Sequence, residues 1–244
     1  MKKEANYSSE LKYFLYRYVI LAWKWRKRTG YFRMVLDFFY ELVFKIKYPK
    51  FKYLLKLYQD SFDETSLDNI LNSNQYEANS AYVISDAFKQ IRKLIKPHNT
   101  TFIDIGSGAG RIIFEAYRHN YKKSIGLELS RELLEICDKN LSEYVSCKNK
   151  DSIITAKCDV TKVNFSDFIN EKEGNIILYL FNPFNDITLE QFIKNYLAQV
   201  TFPTYIIYVN KQYPDVLKAY GFNIIFERRI NNKFTLDSFR IYKN

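Results

Sequence analysis

Between Phe102 and Ala116 the chain reads FIDIGSGAGRIIFEA. Gly106, Gly108 and Gly110 stand between a β-branched run and a helix-forming one, in a chain with only 7 glycines among 244 residues. Glycine enters left-handed backbone conformations without steric cost and lets other groups approach the backbone closely. A strand that ends in a glycine turn and re-enters a helix presents backbone N–H groups and the positive helix end to a polar ligand. The segment therefore demands a strand–turn–helix unit whose strand lies inside a sheet.

The rest of the chain supplies that sheet. A helix is expected from about Ala78 to Ile95, before Pro97, then a strand at Thr101–Ile105 and a helix at Arg111–His119. Ser124–Leu127 reads as a strand, and Ser130 as the N-cap of a helix through Asn140. Ile153–Cys158, Asn175–Phe181 and Thr204–Val209 read as strands, with helices at Thr188–Val200 and Tyr213–Tyr220. Phe222–Arg229 and Phe234–Tyr242, separated by Asn231-Asn232, form a closing hairpin. Alternating strands and helices with unbroken apolar strands predict an α/β fold. Its sheet is doubly wound, seven-stranded and mostly parallel, with an antiparallel C-terminal hairpin.

The turn itself excludes two ligand classes. A phosphate-binding loop requires GxxxxGK[ST], which is absent. A dinucleotide fingerprint, GxGxxG, fails at Arg111 when started from Gly106, and at Ile113 when started from Gly108. What remains is Asp-x-Gly-x-Gly-x-Gly: Asp104, Gly106, Gly108 and Gly110. An acidic residue at the strand end suits a ligand carrying an ammonium group.

At these residues the sequence resembles the class I S-adenosylmethionine-dependent methyltransferases, and more narrowly the bacterial relatives of the non-SET lysine methyltransferases. The resemblance spans about residues 76–244 and implies S-adenosylmethionine as cofactor. DIGSGAGR matches the first family motif, which includes Ser107. The next strand ends SIGLELS, making Glu128 the acidic partner of both ribose hydroxyls, with Leu129 beside it. AKCDVTKVNF supplies Asp159 for the adenine amine and Val160 as a backbone contact. Tyr76 and Glu77 match a segment that closes over the methionine end of the cofactor. Asn182, Pro183 and Phe184, in ILYLFNPFND, resemble the Asn-Pro-Pro-Tyr motif of amino-group methyltransferases but lack one proline. In that motif the Asn oxygen and a backbone carbonyl orient an acceptor amine, which is catalysis by positioning. Local structural roles remain open for several of these residues. Asp159 can cap a helix from Thr161, Glu128 can cap the helix after it, Asn79 or Ser80 can cap the one that follows Tyr76, and Asn182 and Phe184 can simply line a pocket.

The N-terminal quarter lies outside the resemblance. Residues 1–60 hold 14 Lys/Arg against 5 Asp/Glu, a net of +9, while the remainder nets +1. Phe14, Tyr18, Leu21 and Trp25, then Met34, Phe38, Leu42 and Ile46, recur at helical spacing. We read residues 1–60 as a basic, aromatic helical extension and residues 61–244 as the cofactor-binding domain. The aromatic stripe is expected to pack onto that domain. An anionic partner belongs at residues 1–60, whether nucleic acid, acidic protein or membrane surface.

No secretory leader is expected, since Glu4, Asn6, Ser8, Ser9 and Glu10 occupy the place of an apolar run. Lys12, Arg17 and Lys24 break the most apolar stretch, Leu11 to Trp25, so no membrane span is expected. Cys137, Cys147 and Cys158 are odd in number and form no CxxC pair, and with only two histidines, His98 and His119, no zinc cluster is expected. Reduced thiols in a cytoplasmic protein, a peripheral place at a membrane surface and two exposed histidines are the expectations. A methyltransferase is favoured, with a protein, RNA or small-molecule acceptor. The alternative is a catalytically inactive cofactor-binding module recruited by its basic N-terminal region.

Overall fold

The structure, a computed structural model, describes residues 31–52, 80–146, 151–169, 174–181, 183–229 and 238–244, with side chains from residue 35. Helix α1 spans Tyr31–Lys47 and α2 spans Ala81–Ile91. There follow β1 (Thr100–Ile105), α3 (Arg111–Arg118), β2 (Lys123–Glu128), α4 (Arg131–Tyr144) and β3 (Ile153–Lys157). The chain continues through β4 (Asn175–Phe181), α5 (Asp186–Leu197), β5 (Thr204–Val209), α6 (Pro214–Ala219), β6 (Asn223–Arg228) and β7 (Phe239–Lys243).

The seven strands form one sheet in the order β3-β2-β1-β4-β5-β7-β6. β7 runs antiparallel to β5 and β6, and the other pairs are parallel. The central strands TTFIDI, NIILYLF and TYIIYV are buried along nearly their whole length. Their apolar runs do not alternate with polar residues because helices cover both faces. Side-chain parity divides the core accordingly. Ile103, Leu178, Leu180, Ile206 and Tyr208 pack with Phe192, Ile193 and Tyr196 of α5 on one face. Phe102, Ile177, Tyr179, Ile207 and Val209 pack with Ile84, Phe88, Ile112 and Ala116 of α2 and α3 on the other. The strand order reverses between β1 and β4, which opens a crevice at the carboxyl ends of those strands.

A third apolar cluster joins α1 and the segment after it to this frame. Phe44 and Phe51 are buried with Ile113 and Phe114 of α3 and with Cys137 and Leu141 of α4. The rings of Phe44 and Phe51 stand 6.3 and 5.5 Å from that of Phe114. Residues 35–52 are thus packed against the sheet domain.

The inward face of α1 differs from the expected stripe. Ile46 is 70% exposed, as are Val35, Phe39 and Val43 in part, whereas Glu41 and Phe44 are buried. Phe38 and Leu42 are half-buried. The helix is turned so that two carboxylates face the domain, because two groups there need acceptors. Asp37 takes the Ser80 hydroxyl at 2.6 Å and the Tyr82 N–H at 3.0 Å, at the start of α2. Glu41 meets the buried guanidinium of Arg111 at 2.6 Å.

His98 is exposed, but His119 is half-buried. Its ring stands 5.0 Å from that of Phe88, and its Nδ1 lies 3.1 Å from Arg92 Nη1. Burial first, then the charges of Arg92 and Arg118, push its pKa down to about 4. Among the described residues no helix is long and apolar enough to cross a membrane.

Candidate active site

β1 and β2 pair in parallel, with Asp104 opposite Gly126 and Ile105 opposite Leu127. The two strands therefore end side by side, and the turn of β1 meets the acid of β2. Gly106, Gly108 and Gly110 take φ of 78, 53 and 83°, which β-carbon-bearing residues rarely adopt. Gly126 serves a different need. A β-carbon there would come within 2.9 Å of Ile113 Cδ1 and Ser107 Oγ, so its absence lets α3 and the turn lie against β2.

The amides of the turn are used differently from the simple expectation that they face a ligand. Gly106 and Ser107 both donate to the Leu127 carbonyl, at 2.8 and 3.1 Å. Gly108 N–H donates to Glu128 Oε2 at 2.8 Å, while Leu129 and Ser130 N–H both donate to Oε1 at 2.9 Å. Three backbone donors thus fix the Glu128 carboxylate at the crevice. A carboxylate has about four acceptor positions, so a diol reaching both oxygens shares them with backbone N–H groups. Burial raises the Glu128 pKa, and the three amides act against that shift.

Asp104 is 3% exposed, and its Oδ2 has no hydrogen-bond partner among the described residues. Burial, then the nearby charge of Glu128, hold its pKa well above the usual carboxylate range. An ionised carboxylate left so is costly, and a cation bound in the crevice would remove that cost. A ligand with an ammonium group and a vicinal diol fits Asp104 Oδ2 and Glu128 together. S-adenosylmethionine carries both.

The remaining expected residues are placed as follows. Asp159 follows β3 and is half-buried. Its Oδ1 accepts the Thr161 N–H at 3.0 Å and the Thr161 hydroxyl at 2.6 Å, and Lys162 lies 3.4 Å from Oδ2. Burial works to raise its pKa, but the bonds from Thr161 and Lys162 prevail and hold it below the usual value. A local turn thus occupies Oδ1. Val160 is buried, and its carbonyl accepts from Asn195 Nδ2 of α5 at 3.2 Å. Pro183 faces the glycine turn, since a β-carbon on Gly106 would lie 3.5 Å from Pro183 Cβ. Phe184 is half-buried with its ring 5.9 Å from Phe192. Asn182, Tyr76 and Glu77 lie outside the described residues.

The geometry also brings in side chains the motifs did not name. Asn140, 2% exposed on α4, donates to the Ala109 carbonyl of the glycine turn at 2.9 Å. The same side chain bridges to both backbone groups of Lys52, at 2.7 and 2.8 Å. Its signal in the sequence was faint: a polar residue on the helix face of Cys137 and Leu141. Glu41 carried no signal, because its partner Arg111 is 70 residues away in the chain.

The profile of the histone methylation protein DOT1 family matches residues 68–237, more than half the chain. No curated protein matches it. Among solved structures, the methyltransferase domain of a bacterial Hen1 is similar with a TM-score of 0.52 at 12% identity, covering 66% of this chain and 97% of that one. A candidate RNA methyltransferase of Pyrococcus horikoshii gives 0.50 at 17% identity, covering 83% and 94%. The glycopeptide N-methyltransferase MtfA, solved with S-adenosylmethionine, gives 0.50 at 12% identity, covering 69% and 95%. At such identities these likenesses speak to the fold, which is the Rossmann-like fold of methyltransferases. The profile match speaks to descent: this chain belongs to the DOT1 family of class I S-adenosylmethionine-dependent methyltransferases, and S-adenosylmethionine is the cofactor of that family.

Proposed function

We propose that this chain is an enzyme that moves a methyl group from S-adenosylmethionine to an amine nitrogen of a protein or small molecule. The observation that carries the cofactor assignment is the buried, unpartnered Asp104 Oδ2 beside the amide-bound Glu128. Asp104 holds the ammonium group and Glu128 the ribose hydroxyls. Gly106, Ser107, Gly108, Gly110 and Leu129 shape the cradle, Asp159 and Val160 border the adenine, and Tyr76 covers the methionine end.

The cofactor supplies a methyl group on a positively charged sulfur. The chain's own part is to present a neutral amine in line with that methyl. The side-chain oxygen of Asn182 and a backbone carbonyl accept the amine hydrogens, which turns the nitrogen lone pair toward the carbon. Pro183, set against the glycine turn, fixes the backbone at that point, and Phe184 supplies an apolar wall. With S-adenosylmethionine bound, the N–C bond would form as the C–S bond breaks, the electron pair would stay on sulfur, and the amine proton would pass to water. The match to a family named for histone methylation supports a lysine-type acceptor, as does the Asn-Pro-Phe sequence. The basic quarter, residues 1–60, is assigned to docking an acidic partner.

The test is methyl transfer from labelled S-adenosylmethionine to fractionated protein, RNA and small-amine pools. Label stable to mild alkali in the protein or small-amine fraction is expected. Label in RNA, or alkali-labile ester label, would exclude the amine acceptor.

A further inference from the structure

We infer that residues 37–52 are a working part of the cofactor site, acting through Arg111 and Asn140 to hold the glycine turn. The inference rests on the proposal that this turn cradles S-adenosylmethionine. Arg111 is the first residue of α3, directly after Gly110. Its guanidinium is buried between the Glu41 carboxylate, at 2.6 Å, and the ring of Phe44, with 4.3 Å from Cζ to the centroid. A charged pair this deep is held in one geometry, so α1 fixes where α3 begins. Asn140 makes the second link, with three bonds at once: Lys52 N–H to Oδ1, and Nδ2 to the carbonyls of Lys52 and Ala109. An amide side chain so engaged cannot rotate without breaking a bond, so the backbone at Lys52 and the turn at Ala109 move together.

Phe51 strengthens the coupling. It is fully buried against Phe114 of α3 and Tyr144 of α4, and Lys45 Nζ of α1 donates to its carbonyl at 3.2 Å. A segment that only covered apolar surface would need none of these polar contacts to the turn. Here both ends of the Ala109–Arg111 stretch are tied to it. Glu41, Arg111 and Asn140 are positioning residues: they set the turn, and the turn meets the cofactor.

The test compares dissociation constants for S-adenosylmethionine, measured well below the melting temperature, in full-length wild type, Asn140→Asp, Glu41→Gln and Asp86→Ala. Asp86 pairs with Arg228 at 2.7 Å, away from the turn, so its loss controls for a broken ion pair alone. Asn140→Asp and Glu41→Gln should each weaken the cofactor about tenfold, while Asp86→Ala lowers the melting temperature and leaves affinity unchanged. Equal affinities in all variants would overturn the inference and leave the cofactor assignment standing. Failure of wild type to bind would overturn both. Should either variant not fold, amide exchange of the wild type decides. Saturating cofactor should slow exchange at Lys52 and in α1 as well as in the turn, and protection confined to the turn would refute the coupling.

Discussion

Asp104 is placed where stability and the role we propose for it oppose one another. Its carboxyl has a raised pKa in the folded protein, through burial first and Glu128 second. The folded state therefore holds that proton more tightly than the unfolded chain. This contribution to stability is complete below the ordinary carboxylate pKa and is lost as pH rises through the raised value. The cofactor-free protein should accordingly melt higher at mildly acidic pH than at neutral pH as far as this group is concerned. Asp104→Asn should raise the melting temperature of the cofactor-free protein at pH 7 by roughly 2–4 °C, the equivalent of about 1 kcal/mol, as read by a thermal scan. Gly110 belongs to the opposite class. Its φ is 83° and an added β-carbon would overlap Cys137 Sγ. Gly110→Ala should cost about 2–4 kcal/mol, from strain and overpacking together, measured by urea unfolding. Both residues were legible in the sequence because one contiguous motif carries them. Asp159 was less so: a carboxylate after a strand can cap its own turn or meet a ligand, and Oδ1 is committed to the turn.

The elements were read well where periodicity and burial agree. β4 and β5 fall on the expected residues, Asn175–Phe181 and Thr204–Val209, since a strand buried on both faces is written as an unbroken apolar run. Helix α5 starts earlier than Thr188, at Asp186, because Asn185 accepts the Thr188 N–H at 2.9 Å and opens the helix there. Asn185→Ala should cost about 1 kcal/mol of stability, checked by the shift of the urea midpoint. The stripe expected on α1 is turned partly outward, with Phe38 and Leu42 half-buried and Ile46 exposed. Hydrophobic spacing alone placed Ile46 inside, but the acceptors demanded by Arg111 and by the start of α2 turned Asp37 and Glu41 toward the domain. A sequence pattern cannot show a demand made by residues 40 or more positions away. The turn of the closing hairpin, around Asn231-Asn232, lies outside the described residues.

At the scale of the molecule, the two halves of the sheet meet at β1 and β4, and the glycine turn, Glu128 and Pro183 gather at that crevice. That arrangement follows from the alternating order of strands and helices, which the sequence displays. The union of the N-terminal segment with the domain does not, because it depends on Phe44 and Phe51 finding Phe114 and Leu141. Removing residues 1–52 would uncover that cluster, and two buried phenylalanines lost at about 3–5 kcal/mol each should lower the melting temperature by roughly 10 °C or more. A truncated protein that melts like the full chain would make this segment a separate recruitment module.

The central claim is that Asp104 and Glu128 hold S-adenosylmethionine at the glycine turn. The most direct measurement is the melting temperature of wild type and Asp104→Asn with and without saturating S-adenosylmethionine, and with NAD as the contrast. A ligand bound only by the folded state stabilises it by mass action. Wild type should gain several degrees with S-adenosylmethionine and none with NAD. Asp104→Asn should start higher and gain far less. A shift with NAD alone, or an undiminished shift in Asp104→Asn, would contradict the assignment.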